Sequence, residues 1–371
     1  MEIKVSRDSL FKSISKVQSI IEKRSNMPIL SMILITANDN SVSISATDLE
    51  ISMQQTIDAN VIESGSITIS GRKLFEILKE SKSDEIYLKE KDNNWIFISD
   101  EKTQYNLACL PSDEYPVFVE PEDVSFVEMD CSLLSEMINK TIFSVTLEEA
   151  GYKLSGVYTE KVVNDDKIIL RMVSTDGHRL SLVDKNIENL TALDIEKGVM
   201  IPKKGMMELN KLAADGEKIS LGFKQNNCIA KKENSLIVIR LLENKFPDYK
   251  EVISIELKYK INITRDELLD GMKKMMILSS ESSRGVQITV EDNNMELVSI
   301  NPDLGDVKDN IKVDYSDERM ELGFNSKYFV DALSAMESEN ITIGFFDNSS
   351  PCMIKGEDDK GFLGLIMPMR I

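Results

Sequence analysis

The one string in this chain that could carry acid–base chemistry is Ser174-Thr175-Asp176-Gly177-His178-Arg179-Leu180, where a carboxylate stands two residues before the only histidine. Asp176 and His178 could pass a proton between them, as in a hydrolase. No nucleophile accompanies them and no second histidine exists. The alternative is a tight turn at Asp-Gly, with Arg179 and Leu180 opening the next strand. A loop that shows Thr, His and Arg beside an apolar Leu then forms the mixed wall of a binding pocket. The binding reading is the stronger one, and no catalytic residue is assigned.

Metal and cofactor chemistry is equally thin. Cys109, Cys131, Cys228 and Cys352 are far apart and form no CxxC, which disfavours zinc and a disulfide framework and fits a reducing cytoplasm. A single histidine excludes multi-histidine metal sites. No GxGxxG or GxxxxGK[ST] loop is present to cradle a phosphate. The tail Leu365-Ile366-Met367-Pro368-Met369-Arg370-Ile371 is unusually apolar for a chain end. It must be buried as a last strand or must bind something, and methionine-rich edges suit grooves that accept several partners. Lys245-Phe246-Pro247-Asp248-Tyr249 reads as a rigid interdomain turn.

The elements that hold these residues come in threes. Residues 5–24, 129–146 and 263–284 each show apolar residues at helical spacing (Leu10, Ile14 and Val17 in the first) behind a capping candidate: Ser6, Asp130 or Thr264. Three shorter helices follow at 69–82, 201–214 and 324–339, and three strands that run into proline close the units. Between them, alternating strings such as Ser41-Val42-Ser43-Ile44 read as half-buried strands, with turns at Asp39-Asn40, Asn93-Asn94, Asp165-Asp166 and Asn293-Asn294. The stretches 116–126 and 246–258 read as linkers. At ~150 residues per domain, 371 residues make two to three domains. The repeat favours three: 1–122, 123–252 and 253–371, each an α+β unit of helices packed on antiparallel sheet.

The formal net charge is −19, which argues against ordinary groove-reading DNA binding. The six helical segments nevertheless hold 18 Lys and Arg against 14 Asp and Glu, a net of +4, leaving −23 elsewhere. Lysine is a good helix former, so exposed faces alone could explain this. The sharper reading is a basic surface lined by helices, attractive to phosphates without regard to sequence. No apolar run reaches the ~20 residues of a membrane helix, and the N-terminus lacks a signal-peptide core.

Taken together, several strings resemble the bacterial DNA polymerase III beta subunit family, the replicative sliding clamps. They are Met27-Pro28-Ile29-Leu30, Thr47-Asp48-Leu49-Glu50, Leu110-Pro111, Tyr115-Pro116, the Ser174–Leu180 string, Ile201-Pro202-Lys203-Lys204-Gly205, Phe246-Pro247-Asp248-Tyr249, Ser283-Arg284-Gly285-Val286, Phe324-Asn325 and Met367-Pro368-Met369-Arg370-Ile371. They run in order along the whole chain. The resemblance implies a DNA clamp fold and a head-to-tail homodimer whose six domains form a ring around double-stranded DNA. It implies partners (the replicative polymerase, a clamp loader, other proteins with clamp-binding motifs) and neither catalysis, cofactor nor membrane. A repair or plasmid-replication paralogue is the alternative.

Site residues follow from the same resemblance. The partner-peptide pocket falls on Leu154, Gly156, Thr175, Asp176, Gly177, His178, Arg179, Leu180, Pro247, Val252, Asn325, Tyr328, Met353, Leu365, Met367, Pro368, Met369 and Arg370. DNA contacts fall on Arg24, Lys73, Tyr152, Lys153, Lys204 and Lys274, and the dimer interface on Tyr105 and Leu107 against Ile277 and Leu278. Two departures bear on peptide preference: Gly151-Tyr152-Lys153 precedes the pocket leucine, and Glu251 stands where the family has a basic residue before the pocket valine.

Overall fold

Apolar spacing sets the helices. In the computed structural model, which describes residues 1–21, 27–116, 121–145, 154–164, 167–280 and 284–370, α1 (Arg7–Val17) buries Leu10, Ile14 and Val17, and the Ser6 hydroxyl accepts the N–H of Ser9 as its cap. The other helices are α2 (Gly71–Glu80), α3 (Cys131–Asn139), α4 (Lys203–Ala213), the short α5 (Lys250–Ile253), α6 (Arg265–Leu278) and α7 (Ser326–Ser334). Long helices pair as the repeat requires. Phe11 of α1 stacks on Phe75 of α2 at 5.0 Å, the Ser135 hydroxyl of α3 donates to Asn210 of α4 at 2.7 Å, and α6 packs on α7. Thr264 makes no side-chain cap; Asp266 and Glu267 in the first turn face the helix dipole instead.

Among the described residues all strand pairs are antiparallel, and the strands fall into four sheets. By contacts the chain divides into two compact units. The first comprises Met1–Cys131, Ala192–Asp194 and Lys211–Leu241. It holds a five-stranded sheet ordered Asn60–Glu63, Glu2–Ser6, Glu85–Lys91, Trp95–Asp100, Thr103–Ala108. It also holds an eight-stranded sheet in which Ser235–Arg240 joins Ile51–Asp58, with Ile239 opposite Ile51.

The second unit comprises Ser132–Thr191, Ile195–Asn210 and Leu242–Ile371. Its eight-stranded sheet runs Val199–Pro202, Gly156–Asn164, Lys167–Thr175, Arg179–Lys185, Phe362–Ile366, Cys352–Gly356, Asn340–Phe345, Tyr259–Thr264. Arg179 lies opposite Ile366 at its central join. A four-stranded sheet, Gly305–Lys312, Asn294–Asn301, Gly285–Glu291, Met320–Asn325, completes the unit. Each eight-stranded sheet is thus two four-stranded halves from different repeats.

Two local expectations shift. The hairpin expected at Asn293-Asn294 turns one residue earlier, because Glu291 pairs with Asn294 and the left-handed pair is Asp292 and Asn293. The linker 246–258 is no free spacer. Phe246 and Tyr249 are buried, Phe246 stacking on Tyr158 at 4.8 Å. The Asp165-Asp166 turn lies outside the described residues.

Candidate functional site

The Thr175–Arg179 turn is built by its own side chains. The Thr175 hydroxyl donates to the Arg179 carbonyl at 2.6 Å and accepts the N–H of Gly177 at 3.1 Å. Asp176 Oδ1 accepts the N–H groups of His178 and Arg179 at 3.0 and 3.1 Å. Gly177 takes φ +87°, a left-handed conformation that suits glycine. The Asp176 carboxylate is therefore committed to holding the turn, and the exposed His178 makes no side-chain pair with it. This geometry supports the binding reading rather than proton transfer.

Beyond the turn, tertiary packing gathers distant residues. Leu180, Met353 and Leu365 are buried in one cluster with Phe246 and Tyr249, and Leu154, Val252, Tyr158 and Leu257 pack against it partly exposed. Leu180 lies opposite Leu365, and Leu365 opposite Met353. The tail then leaves the sheet. Met367 donates its N–H to the His178 carbonyl at 2.8 Å and Met369 donates to the Gly323 carbonyl at 2.8 Å. Strand Phe362–Ile366 is wholly buried, whereas Met367 is 40% exposed. The reading of the tail as a buried last strand holds through Ile366, and Met367 just beyond it is exposed.

Arg179 joins the turn to α7. Its guanidinium binds Asp176 at 2.9 Å, Asp331 at 2.7 Å and the Phe143 carbonyl at 2.7 Å. It also lies over the Tyr328 ring at 4.5 Å. Burial, and the Asp176 carboxylate after it, push the Tyr328 phenol up. Burial and then repulsion from Arg179 pull the Lys203 ammonium down. Asn325 accepts the Lys327 N–H and caps α7. Gly156 is buried in strand pairing, Pro247 and Arg370 are exposed, and Pro368 is half-buried.

The same turn occurs in the first unit. The Thr47 hydroxyl donates to the Ile51 carbonyl and accepts the Leu49 N–H, and Asp48 accepts the N–H groups of Glu50 and Ile51. Leu49 takes φ +74° where Gly177 stands in the other copy. Arg240 donates to the Glu50 carbonyl at 2.8 Å, as Met367 does to that of His178. The residues beyond the two turns differ. Ser52 and Gln54 replace Leu180 and Leu182, and Ser52 bonds Thr47 at 2.8 Å. Leu30, two residues before its strand, is buried with Tyr115, whereas Leu154 in the like place stays half-buried. The Thr175 turn thus adjoins a larger apolar cluster with Leu154, Val252 and Leu257 partly exposed, and this cluster is the candidate peptide groove.

Comparison with known proteins decides the lineage. Models of the DNA polymerase III beta subunit match end to end: the N-terminal domain at residues 1–119, the central domain at 128–248 and the C-terminal domain at 250–370. The chain belongs to the DNA polymerase III beta subunit family. A Caulobacter crescentus beta sliding clamp structure superposes with TM-score 0.95 at 29% identity, with both chains covered in full. A Bartonella birtlesii sliding clamp bound to griselimycin gives 0.93 at 30%, again over both whole chains. The beta sliding clamp of Vibrio cholerae is 27% identical over 100% of both chains. As a beta subunit, the chain is a sliding clamp and a non-catalytic part of the DNA polymerase III holoenzyme.

The remaining residues expected to serve this beta subunit lie on several elements. Tyr105 and Leu107 sit on the edge strand Thr103–Ala108, and Ile277 and Leu278 end α6 with Ile277 74% exposed. Lys73 pairs with Glu76 at 2.8 Å, Lys274 pairs with Asp309 at 2.8 Å, and Lys204 lies in the first turn of α4. Arg24, Tyr152 and Lys153 lie outside the described residues. Sequence reasoning missed the groove's support: Arg171 clamping Asp184 at 2.7 Å through two N–H groups, and Glu160 accepting from Tyr249. Burial and Glu160 together push the Tyr249 phenol up. Strand alternation in Lys167–Thr175 was the available signal, since half-buried Arg171 interrupts an apolar run. Among the described residues no cluster suited to a metal ion exists, and no helix is long and apolar enough to cross a membrane.

Proposed function

We propose that two copies of this chain close head to tail into a ring around duplex DNA, and that the Leu180–Leu365 groove tethers the replicative polymerase and other factors by short extended peptides. The observation that carries the ring is a pair of open sheet edges. Within the chain, two half-sheet joins are made, at Ser235–Arg240 on Ile51–Asp58 and at Phe362–Ile366 on Arg179–Lys185. Thr103–Ala108 and Gly305–Lys312 are edge strands with no such join. Tyr105 and Leu107 lie opposite the fully buried Ile98 and Ile96, so they share the core face, yet both remain half-buried. An unpaired edge with apolar residues on its core side invites a strand from another copy, and contacts between unlike ends can close a ring.

On this reading the three repeats present helices to the DNA, and Arg24, Lys73, Tyr152, Lys153, Lys204 and Lys274 are the candidate phosphate contacts. Contact is sequence-independent, and salt weakens it. A clamp loader opens and closes the ring. All four cysteines are free and buried, in keeping with a cytoplasmic protein. The deciding experiment compares retention on circular DNA and on the same DNA linearised, after loading. Retention on the circle and loss from free ends are expected. Equal retention on both, or a preference for one duplex sequence, would remove encirclement as the mode of binding.

A further inference from the structure

The first helix of each repeat carries a lysine at the same place. Counting from the helix start, the tenth residue is Lys16 in α1, Lys140 just past α3, and Lys274 in α6. Two of these lysines reach the strand that a following repeat adds to the sheet, or the turn leading into it. Lys16 donates to the hydroxyl of Ser235, the first residue of strand Ser235–Arg240. Lys140 binds Asp359 at 2.6 Å, three residues before strand Phe362–Ile366 begins. Lys274 has no added strand to reach. It folds back at 2.8 Å onto Asp309 of the open edge strand, and both side chains remain partly exposed.

The strand with the matching place in the first repeat is Thr103–Ala108, and three residues before it stands Asp100. Asp100 is 8% exposed. Its carboxylate accepts from the Ser81 hydroxyl at 2.7 Å and from the N–H groups of Thr103 and Lys102 at 2.7 and 3.3 Å. Asp359 is held alike, by the hydroxyl and N–H of Ser338 at 2.6 and 3.0 Å and by the N–H of Glu337, with Lys140 added. Among the described residues no ion pair reaches Asp100. A nearly buried carboxylate carrying only neutral donors is a charge without its counter-charge.

We propose that Lys274 of one copy pairs with Asp100 of a second copy at the junction between chains, and that Asp309 holds Lys274 in the free chain. The inference rests on the dimer proposed above. It gives the second copy a charge address: a lysine released from the edge strand by the incoming strand, and an acid already positioned to receive it. It also reassigns Lys274 from the DNA-facing set to the ring seam.

The test is sedimentation of Lys274→Met, Asp100→Asn and the double variant, beside unaltered protein and Ile277→Ala with Leu278→Ala. Each single substitution should raise the dimer Kd about tenfold, and the double should be no weaker than about threefold beyond either single, because the pair is lost once. Lys274 is exposed, so Lys274→Met remains informative if Asp100→Asn disturbs the hairpin at Ser81. If Lys274→Met leaves the Kd within about twofold while the apolar double variant is monomeric, the dimer stands and the pair is overturned. The pair is likewise overturned if Lys274→Met lowers the salt dependence of DNA retention at unchanged Kd. A monomeric unaltered chain would overturn the dimer, and the pair with it.

Discussion

The N–H of Met367 donates to the carbonyl of His178 at 2.8 Å. This bond extends the pairing of Phe362–Ile366 with Arg179–Lys185 by one step, just where the tail turns away from the sheet. The tail is thereby fastened to the turn that carries the only histidine, and the groove's rim and wall become one piece.

Removing residues 367–371 should therefore abolish binding of a clamp-binding peptide while leaving the dimer intact. Fluorescence polarisation with a labelled peptide reads the first, sedimentation the second. Unchanged affinity in a folded, dimeric truncation would place the peptide elsewhere.

Leu180→Ser copies the polar residue of the closed turn, Ser52, into the open groove. A buried apolar anchor contributes ~1.5–3 kcal/mol, so peptide affinity should fall from about micromolar by roughly 10- to 100-fold. The fold should survive, because Ser52 occupies the same pairing position beside an identical turn. Titration calorimetry measures it, and an affinity unchanged by Leu180→Ser counts against this groove.

At the dimer edge, Ile277→Ala with Leu278→Ala should give monomers at micromolar concentration. Ile277 is the more exposed of the two, and its truncation removes apolar area from the proposed seam. A dimer that persists by sedimentation equilibrium assigns the seam to other residues.

The Lys140–Asp359 pair links residues on both sides of the central join, with both side chains almost fully buried. Burial raises the Asp359 carboxyl, but Lys140 and Ser338 outweigh it and hold the group below its ordinary value. Burial likewise lowers Lys140, and Asp359 and Glu136 overcome it, leaving the ammonium raised. A depressed acid adds stability that is full above its unfolded value and is lost as pH falls through the folded one. A raised lysine adds stability that is full below its unfolded value and is lost as pH rises through the folded one. The urea midpoint should thus be flat through neutral pH and drop in acid below about pH 4. Asp359→Asn should cost about 3–5 kcal/mol at neutral pH, because Lys140 is left buried with less compensation. It should also flatten the acid limb. An acid limb as steep as that of the unaltered protein would assign the loss to other carboxylates.

Periodicity and composition were enough for the threefold repeat. Leu10, Ile14 and Val17 recur at helical spacing whatever their surroundings, and alternating strands announce their own buried face. The turn at Thr175–Arg179 was equally legible, since Thr, Asp and Gly bond their own backbone within five residues. Local chemistry of that kind needs no partner from elsewhere in the chain. The groove beside the turn was a different matter. Thr47–Ile51 makes the same bonds, yet Ser52, Gln54 and a buried Leu30 close its surroundings. Leu180 meets Leu365 and Met353 only because the last strand crosses from one repeat to another. The strut from Arg179 to Asp331, the clamp of Arg171 on Asp184, and the burial of Lys140 on Asp359 depend likewise on which half-sheets join. Such contacts join residues far apart in sequence, and their strength comes from burial that no local pattern records. The tertiary structure alone decided which of two like turns sits beside the larger apolar cluster, and which sheet edges were left open.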